Sequence, residues 1–404
     1  MIYDIIIIGS GVGGLYSAYN IKKMSPDTTF LILEKYKKQW IGGRTSNEMF
    51  YGTEIVTGAG IGRKKDKLLH KLLNELDIKT DEFTMNPHYS KLIDPVDIKK
   101  VMNYLRNEYT KYRGPPITFK VFAKNVLGDK EYKNFVNTVG YTDYEKEDAH
   151  ETLYSYGMED NAHLKAFYVP WQKMVLELAS KIGESHFKFS NNVSKITKLE
   201  DSHLVETENG VNYMCNKVII ATTITGIRTL LPKPIYHDIE GQPFLRLYGK
   251  FSKQSIPIMK EYIKGYTCLP GPLQKIIPMN ADKGIYMIAY SDNHNALALK
   301  NNLENTEENR TLYCELLEKS IGIPRGSLHL LAIKDYYWPI GTHYYKPLNE
   351  RLYEDRDEFI DMAQHPEKNI LVVGEVVSKN QGWTEGALQS VKSVLTKKWI
   401  HNKN

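Results

Sequence analysis

The spacing of apolar positions changes along this chain, and each spacing marks an element. Ile5 to Ile8 form an unbroken β-branched run, as expected for a parallel strand covered on both faces. Leu68, Leu69, Leu72, Leu73 and Leu76 recur at helical spacing and predict an amphipathic helix over 66–77 whose leucine stripe is core. Residues 96–165 read as mostly helical, rich in tyrosine and charge, and 172–182 as a further helix. Val193 to Val205 reads as strand, turn, strand. The stretch from Val211 to Thr222 carries the buried run Lys217-Val-Ile-Ile-Ala-Thr222. Stretches 243–255 and 284–291 alternate like sheet strands, with a proline- and glycine-rich segment at 266–278 between them. A helix is predicted at 304–320, then an aromatic stretch at 335–347, a strand ending at Gly374-Glu375 and a closing helix.

The first apolar run leads into chemistry. It is followed by Gly9-Ser-Gly11-Val-Gly13-Gly14, then a helical stretch, then Thr29-Phe-Leu-Ile-Leu-Glu34. A strand, a glycine turn, a helix, a strand and a terminal acid make a dinucleotide-binding fingerprint. Gly9 allows the tight turn, Gly11 lets a pyrophosphate approach the backbone, and Gly14 lets helix pack on strand. The free N–H groups and dipole of the helix start hold phosphates, and Glu34 is placed for a ribose hydroxyl. Downstream, Gly42-Gly43-Arg44 suits a loop wrapped close to phosphates, with Arg44 supplying a bidentate charge; a plain β-turn is the alternative. Residues 52–63 form another glycine-dense stretch, where backbone could face a flat ring.

Composition narrows the remaining classes. The chain has 404 residues, enough for two domains, and 42% hydrophobic with 25% charged residues fits an ordinary globular protein. A net charge of +5, spread along the chain, argues for neither a nucleic-acid nor a membrane partner. Cys215, Cys268 and Cys314 show no metal spacing or disulfide framework, so no metal site is expected and a reducing, intracellular setting is the default. No signal-peptide feature or run of membrane-spanning length is visible. The acids Asp143, Glu145, Glu147, Asp148 and Glu151 could steer a cationic ligand, but read first as a solvated helix face. The strands that return at 193–222 predict a nucleotide domain built from separated stretches.

In order, these motifs resemble the flavin-containing amine oxidase family, which includes monoamine and polyamine oxidases. The resemblance is concentrated at the two ends: Gly9 to Glu34 with Gly42-Gly43-Arg44, and Val373-Gly374-Glu375 with Gly382-Trp383-Thr384-Glu385-Gly386-Ala387, about 330 residues away. It implies an α/β fold with two parts. The first is an FAD-binding, Rossmann-like domain of glutathione-reductase type, discontinuous over 1–85, 170–235 and 350–404. The second is a mixed-sheet substrate domain with a helical insertion, over 86–169 and 236–349. It further implies that Glu34 binds the adenosine ribose, Arg44 meets the pyrophosphate, and Gly60 and Ile61 lie by the flavin ring. Val193 would contact adenine through its backbone, and Glu375 would sit near the ribityl chain and phosphates. The N–H of Thr384 would serve the flavin's pyrimidine carbonyl, where a helix N-terminus stabilises negative charge.

On the substrate side, the resemblance implies that Tyr344 and Trp383 stand against the flavin and sandwich an amine by cation–π attraction; a packed strand aromatic and a core tryptophan are the alternatives. Trp338 and Tyr345 are pocket wall or core. Arg246 occupies the place of a lysine that holds water near the flavin, with Lys250 the substitute if the register slips. Arginine stays protonated, so it could position water but not act as a base. The cysteine that attaches flavin in some members is absent; His343 stands there, which implies non-covalent FAD. The implied reaction is oxidation of a C–N bond by hydride transfer to FAD, with imine release and O2 reduced to H2O2; a neutral amine would need no strong acid or base. A flavin dehydrogenase or desaturase using another acceptor, and a catalytically silent FAD-bound interaction protein, remain open. The acid cluster hints at a di- or polyamine, while an amino acid would want Arg63 or Arg246 for its carboxylate. A homodimer is compatible with the sequence.

Overall fold

β1 (Ile2–Ile8) lies in a seven-stranded sheet, flanked in parallel by β2 (Phe30–Leu33) and by the strand Asn212–Ile220. Its isoleucines 5 to 7 are wholly buried because both faces of the sheet are covered. The computed structural model describes residues 2–158 and 164–402. The strand Asn212–Ile220 joins three segments distant in sequence. Its first half pairs with the hairpin Val193–Lys198/His203–Thr207, and its second half pairs in parallel with Ile370–Val372. The last fifth of the chain therefore completes the sheet that the first residues begin.

A six-stranded sheet is built around the long strands Ile239–Phe251 and Leu330–Tyr345, which run antiparallel. The strand Ile285–Asp292 lies on the other side of Ile239–Phe251, so Arg246 stands between Tyr336 and Tyr290 in register. The helices Ile98–Tyr109, Phe119–Val139 and Ala149–Tyr154 pack around their own core, which includes Met102, Leu105, Phe119, Phe135 and Tyr144. Among the described residues no helix is long and apolar enough to cross a membrane.

One expectation is corrected here. The acids at 143–151 do not form a solvated helix face. The long helix ends at Gly140 in a left-handed cap, and the chain then turns inward before the next helix starts at Ala149. Glu145, Glu147 and Asp148 are buried. Helical periodicity fails as a guide because this stretch is turn.

The predicted leucine helix forms over Lys67–Glu75, with Leu69, Leu72 and Leu73 buried. Its N-terminus is capped from far away. Glu385, on the helix Thr384–Val394, accepts the N–H groups of Leu68 and Leu69 at 3.0 and 2.9 Å. A carboxylate on otherwise orphaned first-turn donors does the work of a local cap.

Candidate active site

The glycine turn leads into α1 (Val12–Met24), whose first turn carries no side-chain cap and no acid. A Cβ on Gly14 would lie 2.0 Å from the Gly9 carbonyl, and one on Gly9 would lie 2.5 Å from the Ala221 carbonyl. Both positions accept only glycine. Gly11 differs: a Cβ there would meet nothing within 4 Å. Open space at an uncapped helix start is a cradle that an anion can enter. The Gly42-Gly43 loop closes over it: Gly11 and Gly42 form a parallel bridge, and a Cβ on Gly43 would lie 3.8 Å from the Gly11 Cα. On the other side, a Cβ on Gly13 would approach the Gly374 Cα to 3.2 Å.

Glu34 is buried at the end of β2. Its Oε2 accepts the Ser10 N–H and hydroxyl, each at 2.7 Å, and Oε1 accepts the Tyr36 N–H at 2.9 Å. A carboxylate has about four acceptor positions, so about one remains for a hydroxyl. Val193 packs in the cluster that contains Leu31 and Leu33 of β2. Gly60 and Ile61 are half-buried, and the Gly60 carbonyl accepts the Trp171 indole N–H at 3.2 Å.

Glu375 is the hub of the site. Its Oε1 accepts the backbone N–H groups of His343 at 2.9 Å and Gly382 at 2.7 Å. Its Oε2 meets His343 Nδ1 at 2.6 Å and Arg44 Nη2 at 3.3 Å. Burial alone would raise this carboxyl, but the adjacent imidazole, the Arg44 guanidinium and the Gly382 N–H outweigh it and hold it at about 2. Arg44 thus spends part of its guanidinium inside the protein, on Glu375 and on the Gly341 carbonyl at 2.6 Å. His343 has no exposed side-chain surface, and its Nε2 accepts the Ile224 N–H at 3.2 Å. With both ring nitrogens engaged, it has none left for a covalent attachment.

Thr384 opens the helix Thr384–Val394, again without a side-chain cap, with Trp383 at the N-cap. Trp383, Gly382, His343, Tyr344 and Tyr345 line one cavity. Tyr345 is also core, with its hydroxyl on the Ser378 carbonyl at 3.0 Å. Trp338 instead donates to the Thr57 carbonyl at 2.8 Å. One face of the Trp383 indole is taken, because the Arg63 guanidinium lies 3.7 Å from its centroid while paired with Asp66 at 2.8 Å. Arg63 is therefore no free partner for a substrate carboxylate.

The same cavity is lined by Asp143, Glu147 and Glu151. Two other acids of the cluster are satisfied structurally, Glu145 by Lys120 and the Tyr132 hydroxyl and Asp148 by Arg356 and backbone N–H groups. Among the described residues the Glu147 carboxyl has one hydrogen bond, from the Thr152 hydroxyl at 2.8 Å, and burial pushes it up to about 8. Burial and the nearby Asp292 likewise raise Asp143, which accepts the Tyr156 hydroxyl at 2.7 Å. Gln242 lines the same cavity, 3% exposed, and its Oε1 has no hydrogen-bond partner among the described residues. Sequence reasoning missed Gln242; a lone glutamine at a strand start carries no signal.

Arg246 is buried, donates to the Gly58 carbonyl and lies 4.2 Å from the Tyr290 ring centroid. Among the described residues it pairs with no carboxylate. A Cβ on Gly60 would lie 3.3 Å from its Nη2, which puts the guanidinium beside the glycine-dense loop. Lys250 points outward to the Lys283 carbonyl, so the register favours Arg246.

No protein-family model matches the sequence, and no curated protein sequence matches it. Solved structures do. A double mutant of putrescine oxidase, from a redesign of its cofactor binding, superposes with a TM-score of 0.76 at 16% identity, covering 97% of this chain and 98% of that one. Wild-type putrescine oxidase bound to putrescine gives 0.75 at 16% identity, with the same coverage. A protein described as a protoporphyrinogen oxidase, from Exiguobacterium sp. 255-15, gives 0.70 at 13% identity, covering 99% of each chain. At such identities the likeness establishes the fold.

Proposed function

We propose, for a chain that carries the fold of the FAD-dependent amine oxidases, that this protein is an FAD-dependent oxidase of di- or polyamines. The residues fit the cofactor. The open position at Gly11, the uncapped start of α1 and the Gly43–Arg44 loop suit the pyrophosphate. The remaining acceptor position on Glu34 suits a ribose hydroxyl, and the backbone at Val193 suits adenine. Gly60, Ile61 and the uncapped Thr384 N–H suit the flavin ring, held non-covalently. Glu375 acts one layer back, orienting Arg44, His343 and the Gly382 turn. In this reading the dinucleotide part is drawn from 1–85, 170–235 and 350–404, and the substrate part from the rest. Bound FAD would supply the two-electron acceptor that converts an amine to an imine and passes the electrons to O2 as H2O2.

The chain's own residues would select and hold the amine. The observation that carries the reading is the cavity that Tyr344 and Trp383 line together with Asp143, Glu147 and Glu151. Aromatic walls hold an ammonium by cation–π attraction, and a second ammonium some distance along the same molecule meets Glu147, which has no ion-pair partner among the described residues. The unpartnered Gln242 Oε1 adds an acceptor for an N–H. A monoamine leaves those groups unmet, so the cavity favours substrates with two cationic ends.

The test is a purified, yellow holoprotein offered putrescine, spermidine, spermine, tyramine and lysine. Anaerobic bleaching by the di- and polyamines, with peroxide in air, is expected. Bleaching without peroxide would move the protein to the dehydrogenases, for which the arginine at position 246 is the favouring feature. A colourless protein that refuses FAD would end the reading.

A further inference from the structure

Lys275 is the one fully buried lysine whose Nζ has no hydrogen-bond partner among the described residues. It starts the strand Lys275–Asn280, within the proline- and glycine-rich segment, and nothing in the proposed function uses it. Its Nζ lies 2.8 Å from the Tyr141 ring centroid and 4.1 Å from that of Tyr290, with Tyr266 at 5.9 Å. A buried ammonium with no acceptor is costly, and three tyrosine faces offset only part of that cost.

The charged and titratable groups around it come from every neighbouring element. Asp143 and Tyr141 lie on the turn after the long helix, and Tyr266 and Cys268 come from the Thr267–Cys268 strand and its approach. Asp292 and Tyr290 lie on the strand Ile285–Asp292, and Arg246 on Ile239–Phe251, across Tyr290. Asp292 is already served by the Thr142 N–H at 3.0 Å, the Thr142 hydroxyl and Gln274 Nε2 at 3.0 Å. Asp143 is the carboxylate that also lines the cavity. The three residues 141–143 therefore connect Lys275 to the substrate side: one ring on the ammonium, one anchor on Asp292, one carboxyl in the cavity.

We propose that Lys275 is a positioning residue that acts through Asp143, keeping that carboxylate able to take the proton an ammonium substrate must shed before it is oxidised. This rests on the amine-oxidase reading. In the step, one N–H bond of the ammonium breaks and one O–H bond forms on Asp143, with no change in electron count. Burial and Asp292 push Asp143 toward its protonated, useless form, and the Lys275 charge opposes them. Burial in turn lowers Lys275 toward neutrality, so the opposition weakens as pH rises, when it is no longer needed.

Lys275→Met and Lys275→Arg test this in the holoenzyme. Without the ammonium, the acidic limb of kcat/KM for a diamine moves up by about one pH unit, roughly a ten-fold loss at pH 6.5 that is recovered by pH 9. K275R keeps a permanent cation and holds the limb at or below its wild-type place. A merely structural lysine would lower stability in both variants and leave the limb where it is. A limb unmoved in folded, FAD-bound K275M, or moved up by K275R, overturns the proposal.

A second readout needs no turnover. A lysine whose folded-state value lies below its unfolded one binds more protons unfolded, so it adds stability as pH rises between the two. Wild type is expected to gain Tm relative to K275M from pH 7 to about 10. A flat difference overturns the proposal even if no amine proves to be a substrate, and a rising difference with no turnover would count against the amine reading alone.

Discussion

Glu147 lines the cavity and Glu375 stands behind its wall, bonded to the lining residues His343 and Gly382; both are buried, and they sit at opposite ends of the titration scale. Glu375 receives two backbone N–H groups, an imidazole and a guanidinium and is held at about 2, while Glu147 receives one hydroxyl and is pushed up to about 8. Burial is common to both, so the number and charge of the donors decide the outcome. One side of the cavity is pre-satisfied and acts as architecture. The other is under-satisfied and waits for a cation to complete it.

The largest effect should come from breaking the satisfied side. Glu375→Ala strands Arg44 and His343 and is expected to cost about 3–5 kcal/mol in urea unfolding, with loss of yellow colour. Equal stability in that variant would erase the distinction between the two sides. Glu147→Gln should do the reverse. The group is already neutral at pH 7, so unfolding should change by no more than about 1 kcal/mol, while kcat/KM for a diamine falls roughly ten- to a hundred-fold and that for a monoamine holds.

The pH dependence sharpens the contrast further. Because the folded value of Glu147 is raised, its contribution to stability is full below the ordinary carboxylate range and is lost as pH rises through about 8. Affinity for a dication runs the other way, and KM for a diamine should fall across the same window, by up to about ten-fold per unit. Glu375 contributes stability that is full above the ordinary carboxylate range and is lost as pH falls toward about 2, so it should add no slope near neutrality. The smallest effect is reserved for the cradle. Gly11 has φ −67° and room for a Cβ, so Gly11→Ala should alter unfolding by about 0.4–1 kcal/mol at most, in the stabilising direction, yet weaken FAD retention on gel filtration.

The legible parts of the site are those whose chemistry is local. Gly9 to Glu34 could be read because one strand, one turn and one helix contain it, and the leucine helix because its period is its own. Arg44 was readable as a charge near the cradle, but its use on Glu375 depends on a contact across the whole chain. The acids at 143–151 were visible as a cluster, yet their burial was not. A turn has no period, and the side on which it packs is set by residues 150 and 200 positions later. Lys275 gave no sign at all, since its meaning comes from rings on other elements.

The bond from Glu385 back to Leu68 and Leu69 carries a consequence for how the protein is made. While a ribosome still holds the chain's last quarter, the early leucine helix lacks its cap, the central sheet lacks Ile370–Val372, and the cavity lacks Gly382 and Trp383. Nascent chains must stay soluble with that gap unfilled, and maturation waits on the late segment. Even a short nonsense truncation before position 385 should yield a product that never captures its nucleotide, whatever the integrity of the fingerprint at the other end.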